Sequence, residues 1–283
     1  MGAQLFGRYL KLTVAPIGGA PGVLIENSAS RSGLRVFFEV KKTRSSAANE
    51  AVVEIYNLGE QNRTAIDAVE QGVVLEAGFD DLHGIVLSGT VRRGGILHSK
   101  ESTDLVTRLE VRDGGKGLYG SRFSRSYTAG TSKLSIIRDL VTSLTGVDLG
   151  LVAATGLNGT TSQRLALSGL TRVCLDKVCR SWGVEFSVQD GAAQFLDPTQ
   201  TRGGGALAIK LTPASGLLGS PAKTSTGIRC ESLLRADMLP GSYLEIADTR
   251  NADGYYKVQS LIHSGDTRAP GLWKTHSIEG VRL

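Results

Sequence analysis

Apolar and polar residues alternate along the first third of the chain. Leu34-Arg35-Val36-Phe37-Phe38-Glu39-Val40 alternates in part, as does Ala51-Val52-Val53-Glu54-Ile55-Tyr56. Val73 to Phe79, His83 to Val91 and Asp104 to Val111 extend the set. A period of two with one polar face predicts antiparallel strands covered on one side, not the continuous apolar runs of a parallel sheet. Between the second and third runs, Ala65, Ile66 and Val69 share one side of a short predicted helix, with Asn57 as its candidate cap. A single helix inserted in a closed sheet can plug the end of a barrel.

The period then changes. Leu134, Ile137, Leu140, Val141 and Leu144 follow helical spacing after a Thr131/Ser132 start signal. Leu170, Val173, Cys174, Val178 and Trp182 predict a second helix, capped by Ser168. Val184 to Val188 and Ala193 to Leu196 then read as two strands joined through Asp190-Gly191, a strong hairpin signal. The last third returns to β, with strands expected at Ala206 to Leu211, Gly227 to Glu231, Tyr243 to Ile246, Tyr255 to His263 and Trp273 to Glu279. GLLGSP, LPGS and NADG are expected turns, and Pro198 to Gly205 the connection into this part. The fold expected is mainly β with an α+β insert. Residues 1–115 and 198–283 form two β-barrel or sandwich units, and residues 116–197 a small helix-containing unit between them.

Composition adds three things. Glycine supplies 36 of 283 residues, nearly twice the usual ~7%, which fits many turns and bulges. The three cysteines, Cys174, Cys179 and Cys230, are odd in number, and the first residues show no basic segment followed by an apolar one. Reduced thiols made in a cytoplasm, without a signal peptide, are therefore expected. The net charge of +5 is concentrated in the middle third. It is too mild to indicate nucleic-acid binding. No run reaches the ~18 apolar residues of a membrane-spanning helix.

Several motifs invite a chemical reading and fail it. Gly115-Lys116-Gly117-Leu118-Tyr119-Gly120 matches GxGxxG, with Asp139 further on. The run before it alternates like an antiparallel strand, so a glycine-rich domain junction is expected instead of a dinucleotide site. Cys174 and Cys179 diverge around a helix and have no histidine near, which favours core packing. His83, His98, His263 and His276 are scattered. Tyr119, Phe123 and Tyr127 interleave with Lys116, Arg122 and Arg125. They could stack on single-stranded nucleic acid, but an apolar stripe docking the middle unit on the first is preferred. A hydrolase would draw on acids such as Asp80, Asp81 or Asp266, which read more simply as exposed turn residues. A carbohydrate-binding module would want aromatic platforms, and aromatics are only 6% of residues.

An ordered set of stretches resembles the baseplate hub proteins of tailed bacteriophages, the Mu-like hub and late control protein D group. These are Ala51 to Leu58, Leu75 to Phe79, Leu87 to Val91, Tyr127 to Thr131, Ser215 to Pro221, Leu233-Leu234 with Leu239 to Gly241, Gly254 to Val258, and His263 to Asp266 with Trp273. The resemblance implies two tail-tube-like barrels flanking the middle unit. Three subunits would then offer six similar barrels, so that a homotrimer joins a sixfold tail tube to a threefold central spike and lines the DNA channel. It implies no enzyme activity, no cofactor, and no catalytic or metal-ligating residue. The implied partners are the chain itself, the tube or distal tube protein, the spike, other baseplate components, the tape-measure protein and DNA in transit, with no stable membrane association. The implied location is the virion tail. Edge strands of both barrels are expected to carry the trimer contacts.

Overall fold

The computed structural model describes residues 7–17, 22–67, 70–203 and 208–283. Val69 of the first predicted helix, Gly204-Gly205 of the expected connection, Ala206 and most of the N-terminal stretch read for a signal lie outside them.

The alternating runs build one large, mostly antiparallel sheet. Its first half comprises β1 (Arg8–Pro16), β2 (Val23–Asn27), β3 (Val36–Thr43), β4 (Glu50–Tyr56), β5 (Gln71–Phe79), β6 (Leu82–Glu101) and β7 (Asp104–Arg112). They lie in the order β3-β4-β7-β6-β5-β1-β2. Val36, Phe38 and Val40 of β3 and Ala51, Val53 and Ile55 of β4 face one buried core, as a two-residue period requires. The helix α1 (Glu60–Asp67) places Ile66 in that core. Asn57 is not its cap. It adopts φ 56°, a conformation asparagine tolerates, and ties the end of β4 to the start of β7. Its amide donates to Asp104 and its carbonyl accepts the Leu105 N–H. The strands β1 and β2 were not expected from the sequence, although Leu10, Leu12 and Val14 alternate into the core.

The middle of the chain forms α2 (Gly115–Gly120), β8 (Arg122–Tyr127), α3 (Lys133–Thr142), β9 (Asp148–Ala153), β10 (Leu165–Leu170), α4 (Thr171–Ser181), β11 (Glu185–Gln189) and β12 (Ala192–Leu196). β8 and β10 make a two-stranded ribbon, and β9 pairs parallel to β12 of the β11–β12 hairpin. Both predicted helices form. The buried face of α4 is Thr171, Cys174, Leu175, Val178 and Cys179, so Val173 points out at 52% exposure. Ser168 lies on β10 opposite Ser124 instead of capping α4. The Thr171 N–H is satisfied by the Ser121 carbonyl, which removes the need for a side-chain cap there.

The last part adds β13 (Ile209–Leu211), β14 (Leu217–Lys223), β15 (Gly227–Leu233), β16 (Tyr243–Ile246), β17 (Gly254–Asp266) and β18 (Trp273–Arg282). The GLLGSP stretch is not a turn, because Leu217 to Lys223 pairs with β15 as an outer strand. The long β17 belongs to both halves of the sheet. On one side it pairs with β18; on the other, Gly254 to Lys257 pair with β16 and Ser260 to Asp266 pair with β3. Trp273 crosses into the first core, where it meets Phe38 edge-on at 5.5 Å and donates to the Gly78 carbonyl at 2.7 Å. Leu234 and Ala236 join the same core. A cut at residue 198 therefore divides the chain without dividing the sheet. A second core lies within the middle unit, and a third is built from Leu211, Ile228, Leu244, Val258, Ile278 and their neighbours.

Candidate functional site

The middle unit is joined to the sheet through the β11–β12 hairpin. Asp190 and Gly191 form its two-residue turn with φ of 54° and 82°, the doubly positive geometry that Asp-Gly supplies. The turn meets the end of the first core. Lys42 continues the inward row of Val36, Phe38 and Val40, and its ammonium, 1% exposed, lies 2.6 Å from both carboxylate oxygens of Asp190. Asp113, just past β7, accepts the N–H groups of Asp190 at 2.6 Å and Gly191 at 2.8 Å. Burial, and after it the Asp190 charge, push the Asp113 carboxyl up to about 6. Asn49 donates to the Val188 carbonyl and to Gln189, and Gln189 donates to the Thr43 carbonyl.

A second knot lies at the other end of the same hairpin. Glu185 takes Arg44 at 2.7 Å and Lys257 of β17 at 3.0 Å. Lys257 also donates to the carbonyls of Asp197 and Pro198 at 2.9 Å. Burial lowers its pKa, against the opposing pull of Glu185. Gln194 reaches the Pro240 carbonyl at 3.1 Å. One hairpin thus ties β3, β7, β17 and the segment before β16 into one body. Buried polar groups that are all partnered favour a single arrangement of the elements they join.

The residues that carry candidate chemistry are not brought together. The GxGxxG stretch is the short helix α2, entered from an antiparallel strand. A Cβ on Gly117 would lie 2.7 Å from the Thr145 carbonyl, and Lys116 pairs with Glu70 at 2.8 Å. These glycines serve close packing. Cys174, Cys179 and Cys230 are buried free thiols, and burial pushes Cys179 and Cys230 up to about 12. His83 stacks on Tyr9, His98 bonds Asp67 and Thr107, and the buried His263 bonds Thr275. Asp80 and Asp81 occupy an exposed turn, but Asp266 does not: it is 1% exposed and takes the fork of Arg35. Burial alone would raise its carboxyl; Arg35 and the N–H groups of Arg268 and Ala269 outweigh burial and hold it below the usual range. The expected aromatic stripe is split. Phe123 and Tyr127 pack on the middle unit's own core, whereas Tyr119 is 46% exposed between the guanidiniums of Arg112 and Arg172.

The surface offers two unlike outer strands at opposite ends of the sheet order. The strand β14 carries Pro221, Lys223 and a register shift, features that discourage further pairing. The strand β2 has none of these. Its outward Leu24 is 57% exposed, with Ile17 at 51% nearby in the chain. Among the described residues, β2 pairs only with β1.

No protein-family model matches the sequence, and no curated protein matches it. Solved structures match at the level of the fold. The 43 kDa tail protein of prophage MuSo2 from Shewanella oneidensis superposes with a TM-score of 0.64 at 12% identity, over 97% of this chain and 98% of that one. A tail protein from Neisseria meningitidis MC58 superposes with a TM-score of 0.61 at 12% identity, over 96% of each chain. The E. coli c3393 protein is a type VI secretion component described as similar to the T4 tail proteins gp27 and gp5. It superposes at 0.59 with 12% identity, over 88% of this chain and 73% of that one. This chain has the mainly β fold of bacteriophage tail proteins, with a helix-containing insert.

Proposed function

We propose that the protein is a structural, non-enzymatic component of a phage tail: a homotrimeric baseplate hub that joins the sixfold tail tube to the threefold central spike and lines the DNA channel. The observation that carries this reading is the end-to-end match in fold to the tail protein of prophage MuSo2 and to the tail protein of Neisseria meningitidis MC58. The partners on this reading are the tube or distal tube protein, the spike, other baseplate components and the tape-measure protein, with DNA in transit. Two tube-like modules per chain would give three copies six such modules, which is how a threefold ring can meet a sixfold one. A rigid β11–β12 joint suits that role, because modules that face different symmetries must hold a fixed mutual angle. The two strands that end the main sheet order divide unequally. The open β2, with Leu24 exposed, is the better subunit contact; β14 is blunted by Pro221 and Lys223.

Light scattering on the purified chain, alone and mixed with the tube and spike proteins of the same particle, tests this. The expected mass is three times the 29.9 kDa chain. A monomer under every condition overturns the hub reading. Replacing Leu24 by Lys places a charge on the proposed contact, and the trimer should weaken with the monomer fold intact.

A further inference from the structure

A small cavity of about 180 Å³ opens where the loop after β2 meets the connection between β17 and β18. It is lined by Arg8, Arg31 and Arg268, with Asn27, Ser28 and Ser32 among the polar groups beside them, and no carboxylate lines it. Two of the three arginines are fixed without being neutralised. Arg8 donates to the carbonyls of Asp266 and Ala269 at 2.8 and 2.7 Å and lies over the Trp273 ring. Arg268 donates to the Ser32 hydroxyl and the Gly33 carbonyl at 2.9 and 3.1 Å. Every Asp and Glu of the chain falls within the described residues, and none forms an ion pair with Arg8 or Arg268. The nearest buried acid, Asp266, is spent on Arg35. Only Arg31 has an acidic partner, Glu26 at 2.7 Å.

The larger cavity of about 490 Å³ shows the contrast. There Arg44 is paired with Glu185, and Asp176 lines the same wall as Arg180, so carboxylates face the cavity beside its cations.

We propose that the arginine-lined cavity is a binding site for a phosphate-class dianion, which clamps the β2–β3 loop to the β17–β18 connection. The chemistry is that of guanidinium forks and hydroxyls converging on oxyanion oxygens. Two uncompensated cations call for two negative charges, which a phosphate near neutral pH supplies and a carboxylate or phosphodiester does not. The volume corresponds to about six liquid waters, enough for a phosphate and a few waters and too little for a larger head. Binding would reinforce two loops that flank the paired strands β3 and β17 and are already joined by Arg268 to Ser32 and Gly33, so it should add stability by mass action. None of this depends on the assembly state.

The test is calorimetric titration of the full chain with inorganic phosphate at low, constant ionic strength, with acetate and a short single-stranded oligonucleotide as controls. Saturable one-to-one phosphate binding is expected, with a melting temperature that rises with phosphate. Arg31→Gln and Arg268→Gln should each weaken binding tenfold or more, and the double variant should lose the phosphate-dependent melting shift. Arg8 is left intact because it holds two backbone carbonyls and covers the Trp273 ring of the first core. Absence of saturable phosphate binding overturns the proposal. So does equal binding of acetate, effective competition by the oligonucleotide, or undiminished binding in folded Arg31→Gln and Arg268→Gln.

Discussion

Replacing Lys42 by Met leaves the apolar stem in place and removes the ammonium that faces Asp190. The lysine is 1% exposed and the Asp190 side chain 16%, so the carboxylate keeps little water once the cation is gone. Breaking a buried pair from one side costs about 3–5 kcal/mol; the residual exposure of Asp190 points to the lower end, about 3 kcal/mol. Asp113, already raised to about 6 by burial and by Asp190, then loses the lowering influence of the Lys42 charge and titrates higher still. The sign follows from linkage: a carboxyl raised in the folded state favours folding below its unfolded pKa and loses that contribution as pH rises through the folded one. The deficit of Lys42→Met should therefore be small near pH ~5 and full near pH ~8. Asp190→Asn keeps the turn, since asparagine accepts positive φ beside glycine. The double variant Lys42→Met/Asp190→Asn should recover about 2 kcal/mol relative to the sum of the single losses. Urea unfolding followed through Trp182 and Trp273 reads all four proteins. A single-variant loss below ~0.5 kcal/mol, a loss independent of pH, or simple additivity would refute the reasoning.

Other outcomes follow from the same packing. A Cβ at Gly265 would stand 2.5 Å from Phe38 and 2.6 Å from Trp273, so Gly265→Ala should cost about 1–3 kcal/mol, measured by urea unfolding, with a changed near-ultraviolet signal from Trp273. The Asp113 carboxyl should titrate near 6 in a carbon-13 experiment, and its contribution to stability, about 3 kcal/mol, should be present below pH ~4 and lost through pH ~6; an ordinary midpoint near 4 contradicts this. Cys174, Cys179 and Cys230 are buried, so a thiol reagent should leave the native protein unlabelled and label all three after denaturation; fast labelling of the native chain would contradict that burial.

Where local chemistry decides structure, the residues were readable. Asp190-Gly191 forces a two-residue hairpin, and the turn appears there with both φ angles positive. The alternation around Val36 to Val40 and Ala51 to Ile55 yields the inward rows of β3 and β4. The β14 strand escaped because glycine and proline in Leu217 to Lys223 look like a turn, and an outer strand tolerates both. Val173 and Ser168 differ from expectation because helical spacing fixes a stripe only to within a residue, and tertiary hydrogen bonds such as Thr171 to Ser121 choose the phase. The double pairing of β17 has no local signature: Tyr255 to His263 reads as a strand whichever neighbour it takes. The polar joint was hidden for the same reason. Lys42 and Asp190 are 148 residues apart, and nothing near either one announces the other.

The shared strand has a mechanical consequence. Separating the two halves of the sheet lengthwise would put β17 under tension, so the load falls on the one covalent backbone that carries both the β16 and the β3 pairings. Its hydrogen bonds to β3 and β16 lie along that backbone, so pulling the halves apart along it would shear them together instead of peeling them one after another.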